Sequence, residues 1–442
     1  MEALKPFQLN IFNEINKSNV GKNIMVSPLS IYHILSLTAN GALNNTLNEM
    51  LKALNEKDLK SMNSVNIKLN SDIQKLTTVE LANAVFTKFK PEAEFIKMIN
   101  QYKAEINTLE SVDQINQWCK EKTHNKIPKI LDSLSPNDLM VLINAIYFKG
   151  KWVKSFDKRK TRKNNFLNFN KTPKEVFFMN STDDYMYFED KEVQALSINY
   201  KNDNLEALIL LPKHQIDINN YISNLTSQKY QIIISKLSKN KVILSIPKFV
   251  INFGAELTHY FNSLGMVEAF TDQADFSTMS KSNKLKISKI VHKTFIEVDE
   301  EGTEAAAVTA VVMTKKALVV KPKKEIEMNV DHPFLFIIRS NQLPLEHDIM
   351  FISKVESLEN KKNNFDNKIV PENNMNNDNF DKHYDLKNNN KNTFRNGSEI
   401  NNNLKKENNL IHDINLNNMS NNESFEKKKK ELFQKKVLTI II

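Results

Sequence analysis

Residues 26–42, VSPLSIYHILSLTANGA, carry apolar side chains most of the way round a helical wheel. That pattern predicts a buried helix. Its ends are marked: Ser27 can cap, Pro28 fits the first helical position and Gly41 can close it. NNTLNEMLKAL (44–54) reads as an amphipathic helix, and VDQINQWCKEKTHNKIPKIL (112–131) begins as another. Strands are predicted at ELANAVF (80–86), MVLINAIYF (140–148), LEALILLP (205–212), KVILSIPKFVI (241–251), KTFIEVD (293–299), PFLFIIR (333–339) and DIMFISKV (348–355). Several are apolar on both faces, which places them centrally in packed sheets. Long strands far apart in sequence, mixed with many helices, predict one large α+β domain over residues 1–358.

The periodicity stops near residue 359. NKKNNFDNK, PENNMNNDNF and KNNNKN follow, so 359–442 is predicted to be an Asn/Lys-rich, low-complexity, disordered tail. The lone Cys119 excludes an internal disulfide framework and fits a reducing compartment. The N-terminal MEALKPFQLNIFNEIN lacks the apolar core of a secretory signal, and no apolar run is long enough to span a membrane. A cytoplasmic protein is expected, with leaderless release to the outside as the alternative. The net charge of +9 comes partly from KRKTRK (158–163) and KKKK (427–430). These read as solvated faces or tails, and no specific nucleic-acid partner is expected.

Enzyme signatures are absent from the sequence: there is no GxSxG, HExxH, GxxxxGK[ST] or GxGxxG. The nine histidines are scattered, and none pairs with a cysteine or acid at metal-ligand spacing. No catalytic residue, cofactor or metal site is therefore predicted. Cys119 and His124 are five apart, a poor same-face spacing on a helix, so Cys119 reads as structural. His332, before a proline and a strand, reads as structural or hydrogen-bonding.

EVDEEGTEAAAVTAVVMTKK (297–316) is the odd stretch. Split by strand parity, one face carries Thr303, Ala305, Ala307, Thr309, Val311 and Met313, all small or uncharged. The other carries Glu304, Ala306, Val308, Ala310 and Val312. An Ala-rich helix capped by Thr303, a fixed strand and a mobile segment are all compatible with this composition. Val308, Thr309, Val311 and Val312 weigh against the helix.

EEGTEAAAVTA (300–310) resembles the hinge of the inhibitory serpins. VSPLSI, INQW, NAIYFKGKW, IPKF, LGM, ADFS, SKIVHK, DHPFLFIIR and MFISKV resemble further motifs of that family and occur in its order. The resemblance implies the α+β serpin fold: three β-sheets, about eight or nine helices and an exposed reactive-centre loop at about 300–324. It also implies function. A protease would take the loop as substrate and form an acyl-enzyme, and the cleaved loop would insert into the main sheet as a strand. Small, β-tolerant residues suit a segment that must live both in water and inside a sheet, with Gly302 supplying freedom at the hinge.

The hinge by this resemblance is Glu301, Gly302, Thr303, Glu304, Ala305, Ala306, Ala307, Val308 and Thr309. The family's spacing places the scissile bond between Lys316 and Ala317, with Lys315 as the alternative register. Met313 or Leu318 would be the cut if both lysines are only solvated charges. Lysine there implies a trypsin-like serine protease as the covalent partner of a monomeric inhibitor. A papain-like cysteine protease and a non-inhibitory serpin are the alternatives. Ser27, Ser30, Asn144 and His292 match the shutter beneath the opening sheet, and Trp152 and Lys248 match the region where the loop enters.

The chain departs from the family in places. Val308 is bulkier than usual, KPKKEIEMNV (321–330) lengthens the segment after the cut, and Ser353 replaces a glycine. The helical region before residue 80 is short, which implies that the heparin-site helix is reduced or absent.

Overall fold

Ser27 caps the predicted buried helix, its hydroxyl accepting from the Ser30 N–H, and every residue from Pro28 to Ala39 is buried. The computed structural model describes residues 4–73, 75–76, 79–102, 104–201, 204–303 and 325–359. These lie in the first of two units, 1–371; the second, 372–442, is outside the described residues, as is the tail from 360 onward. Glu304 to Thr309, Lys315, Lys316 and Ala317 are also outside them.

The described helices are α1 (Leu4–Lys17), α2 (Pro28–Ala39), α3 (Asn44–Ala53), α4 (Leu59–Ile73), α5 (Ala93–Tyr102), α6 (Val112–Lys122), α7 (Ile218–Ser223), α8 (Ser227–Lys236) and α9 (Thr258–Ser263). No helix among the described residues is long and apolar enough to cross a membrane. α4 corrects one expectation: the region before residue 80 holds a full 15-residue helix. Asp58 caps its first turn by accepting from the Ser61 N–H, and Met62, Leu69 and Ile73 give it a buried stripe. Lys60 and Lys68 are its only cations.

The main sheet runs β3 (Glu105–Thr108), β2 (Val79–Thr87), β4 (Met140–Phe148), β12 (Lys289–Val298), β11 (Phe249–Glu256). At the end where β12 finishes, β13 (Gly302–Thr303) lies between it and β5 (Gly150–Lys151). β4 shows why its sequence is apolar on both faces. Met140, Leu142, Ile146 and Phe148 point into the large core with α2, whereas Val141, Ile143 and Ala145 point the other way. There they meet Ile115 and Cys119 of α6, Ile127 and Ile130.

The three implied sheets occur as two hydrogen-bonded networks. The second has the order β1 (Ile24–Val26), β16 (Ile349–Val355), β15 (Phe334–Ser340), β9 (Leu205–Pro212), β8 (Val193–Asn199), β7 (Pro173–Glu189), β10 (Ser238–Pro247), β14 (Ile326–Asn329). β6 (Arg162–Leu167) pairs with the first part of β7. The 17-residue β7 runs through both halves of this network and fuses two of the expected sheets. KVILSIPKFVI is likewise two strands in different networks, β10 and β11. Pro247 lacks the N–H that would continue a ladder, and Lys248 turns its own N–H to Phe177 O. Ser353, the glycine replacement, is fully buried in β16, and its hydroxyl has no hydrogen-bond partner among the described residues.

Gly41 follows α2 but does not close it through a left-handed backbone; Asn40 forms the C-cap in the right-handed helical region. The glycine is needed for space. A Cβ there would stand 2.7 Å from Met279 Cε, 3.0 Å from Met279 Cβ and 3.2 Å from Phe95 Cε2. Gly41→Ala should therefore destabilise the protein by about 1–3 kcal/mol through overpacking, read as a lowered thermal midpoint. An unchanged midpoint would show that Met279 moves aside freely.

Candidate functional site

Three polar side chains form a row across the middle of the main sheet. Asn83 on β2 is the register partner of Asn144 on β4, which is the partner of His292 on β12. α2 supplies two serines from below. Asn144 Nδ2 donates to Ser30 Oγ and to Asn83 Oδ1, and Ser30 Oγ donates to Asn83 Oδ1 at 3.1 Å. Ser27 presents its backbone N–H to His292 Nε2 at 3.3 Å. A backbone N–H can only donate, so Nε2 is bare and the ring proton sits on Nδ1, which donates to Asn144 Oδ1 at 2.5 Å. Ser27, Ser30, Asn144 and His292 are all fully buried, so these bonds have no competition from water. The structure thus brings together all four residues predicted for the shutter. It adds Asn83, whose signal was an asparagine among the apolar residues 81–86, LANAVF.

A second cluster holds the start of the loop. Asp299 Oδ1 accepts from the N–H groups of Glu301 (2.9 Å) and Gly302 (3.3 Å), and Asp299 N–H donates to Gly302 O at 2.9 Å, closing a tight turn. Trp152 braces that turn with its backbone N–H on Glu301 O and its indole N–H on Asp299 O. Gly302 sits at φ +154°, and a Cβ there would collide with the Gly150 carbonyl oxygen. Backbone freedom and close approach both require the glycine. Thr303 is fully buried and shares a 2.7 Å hydrogen bond with the Tyr200 hydroxyl. Tyr200 stacks on Trp152 at 4.5 Å, and burial pushes its phenol far above the usual range, so it remains neutral.

Glu300 and Glu301, the two acids just before Gly302, are partnered. Glu300 is only 4 % exposed, which makes a partner necessary for a charged carboxylate. It accepts from Lys248 Nζ at 2.7 Å and Thr161 Oγ1 at 2.8 Å. Burial acts to raise its pKa, but these two donors outweigh it and hold the carboxyl below its ordinary value. Glu301 pairs with Lys158 at 3.0 Å. KRKTRK is therefore not simply a solvated face, because Lys158 and Thr161 reach back to the hinge. Trp152 and Lys248 stand where the resemblance put them. Cys119 is fully buried, burial pushes its thiol up to about 12, and it takes no part in either cluster.

The profile of the Serpin family (serine protease inhibitor) matches residues 2–358. Human Serpin B8 is 33 % identical over 362 residues, covering 77 % of this chain and 95 % of its own. The leukocyte elastase inhibitor of Xenopus tropicalis is 32 % identical with the same coverage. The crystal structure of tengpin, a thermophilic serpin in the native state, superposes with a TM-score of 0.73 at 33 % identity, covering 80 % of this chain and 93 % of that one. The chain belongs to the serpin family and has the serpin α+β fold. The family is described as one of serine protease inhibitors rather than enzymes, and the Xenopus relative is named as an elastase inhibitor.

Two buried histidines make the fold acid-sensitive. Burial lowers His292 from 6.5 to about 3; burial, with a smaller contribution from His347, lowers His33 to about 4. The folded chain excludes protons that the unfolded chain accepts below pH 6.5. Stability present above 6.5 is therefore lost as pH falls toward these values, by about 1.4 kcal/mol per pH unit for each histidine. The thermal midpoint should drop between about pH 7 and pH 5. His292→Gln, which offers an amide oxygen in place of Nε2, should flatten that slope. An equal slope in both proteins would remove His292 from the account.

Proposed function

We propose that the chain is an inhibitory serpin that traps a trypsin-like serine protease. The protease serine attacks the Lys316 carbonyl and expels the amine of Ala317, leaving an acyl-enzyme ester; cleavage after Lys315 is the alternative register. The freed loop then enters the main sheet between β4 and β12, a case of strand addition for which serpins are an established example. The tethered protease is carried with it before water can deacylate it. Residues 1–358 perform this as a monomer in the cytoplasm.

One observation carries the reading. Thr303 is already paired antiparallel to β12 at Val298 and to β5 at Gly150. Six residues further along the loop is Thr309, and six residues back along the two neighbours are His292 and Asn144, which are each other's partners in the parallel register. An inserting strand that keeps this register delivers Thr309 between the two shutter residues. By strand parity Thr309 shares the face of Thr303, which points into the core. Ala305 and Ala307 lie on that face too, so nothing large or charged has to be buried. Glu304, Ala306 and Val308 fall on the opposite face. The name of the Xenopus relative, leukocyte elastase inhibitor, supports the inhibitory class.

Mixed with trypsin, the protein should give a complex that survives boiling in detergent, with the cut after Lys316 by mass spectrometry. Thr309→Arg forces a bulky cation against buried Asn144 and His292. This variant should be cleaved at the same bond without leaving a complex. A variant that traps as well as the wild type would contradict the register. Cleavage of the wild type with no complex would favour the non-inhibitory reading or a cysteine-protease target.

A further inference from the structure

His214 and the pair Asp331–His332 are more than a hundred residues apart in sequence, yet they meet at one corner of the second network. Pro212 ends β9, and the turn after it exposes His214, with Ile216 N–H donating to Lys213 O at 2.7 Å. Asp331 and His332 follow β14, where the chain re-enters the fold after the loop. Their backbone is fixed on both sides, with Val330 N–H on Ser245 O and Leu167 N–H on Asp331 O.

His332 Nε2 lies 2.7 Å from Pro212 O. That carbonyl can only accept, so Nε2 carries a hydrogen. The other nitrogen, Nδ1, faces Asp331 Oδ1 at 2.8 Å, and a carboxylate also only accepts. His214 brings its Nε2, a further possible ligand atom, to 3.7 Å from the same oxygen, with its ring stacked on that of His332 at 3.9 Å. The three candidate donor atoms lie within 4.8 Å of one another. At 2.8 Å the pair is at hydrogen-bond distance, with a proton between the two atoms; an ion bound at about 2.0–2.2 Å from each would replace that proton and open the pair by about half an ångström.

We propose that His214 Nε2, Asp331 and His332 Nδ1 bind one divalent transition-metal ion of the zinc type. Two imidazoles and a carboxylate are a ligand set this ion favours, with water completing the tetrahedron. The Nε2–H bond to Pro212 O fixes the tautomer and orients the ring, as outer hydrogen bonds do at metal-ligating histidines. The site has a wall and a mouth: the His332 side chain is 9 % exposed, Asp331 35 % and His214 67 %. The ammonium of Lys213, next to His214, is turned away to Glu189. A bound ion ties the end of β9 to the segment just after β14, the far foot of the reactive loop.

The test is titration of the chelator-stripped full-length protein with Co²⁺, followed by visible absorption and then by displacement with Zn²⁺. One equivalent should produce the d–d bands of a tetrahedral site, and Zn²⁺ should abolish them and raise the thermal midpoint. His214→Asn lies on an exposed turn, so its folding is checked simply by its metal-free melting curve. It should lose both the absorption and the Zn²⁺-dependent shift, as should Asp331→Asn. Absence of saturable Co²⁺ binding in the wild type would leave a proton in the gap and overturn the proposal. Undiminished binding in His214→Asn would also overturn it, placing the metal on histidines elsewhere in the chain.

Discussion

Seven backbone pairs join β4 directly to β12, and the same two strands must part if the loop is to become a strand between them. The rest of the molecule is arranged around that pairing. Asn144 and His292 are opposed in its middle and bonded to each other, while α2 holds both through Ser27 and Ser30. Buried hydrogen bonds of this kind are strong locally and specific in geometry. Above them, α6 lies across the outer face of the sheet and packs on Val141, Ile143 and Ala145. Parting the strands means breaking the polar row and disturbing that packing together. A barrier of this kind sets a lifetime rather than an equilibrium stability. What offsets it in the proposed mechanism is a new strand with ladder bonds along both edges, each worth about 0.5–1.5 kcal/mol net.

The hinge sits where such a process would start. Thr303 is paired and buried, and Glu300 and Glu301 are held by Lys248, Thr161 and Lys158. Insertion can therefore begin from an existing register, while the anchored acids fix the end from which it proceeds. The small, uncharged composition of one face of the following segment answers the same constraint, because each residue added there takes a place between two buried strands.

Much of this was legible from the sequence, for physical reasons that differ by element. α2 could be read because its apolar residues encircle it and its cap is local. β4 could be read because both faces are buried, although periodicity alone did not say that α6 covers one of them. β10 and β11 merged into one predicted strand because a single proline was the only local mark of a change of network. Gly41 was assigned to backbone conformation, whereas its neighbours Met279 and Phe95 come from distant segments. The same limit hid Asn83, Thr161 and Tyr200 from the site. It also hid the meeting of His214 with Asp331 and His332, which no spacing along the chain announces. The residues matched to the shutter and to the start of the hinge were picked out through motif resemblance; the geometry of the polar row depends on register across strands far apart in sequence.

The central claim is that the main sheet is short of one strand and that the chain's own loop supplies it. The most direct measurement is thermal unfolding of the intact protein beside protein nicked once within the loop with both fragments retained. The account predicts a large rise in the midpoint on nicking, because the freed segment completes the sheet. A midpoint that stays the same or falls would contradict it, since a cut in a loop that cannot insert removes a covalent constraint and adds nothing.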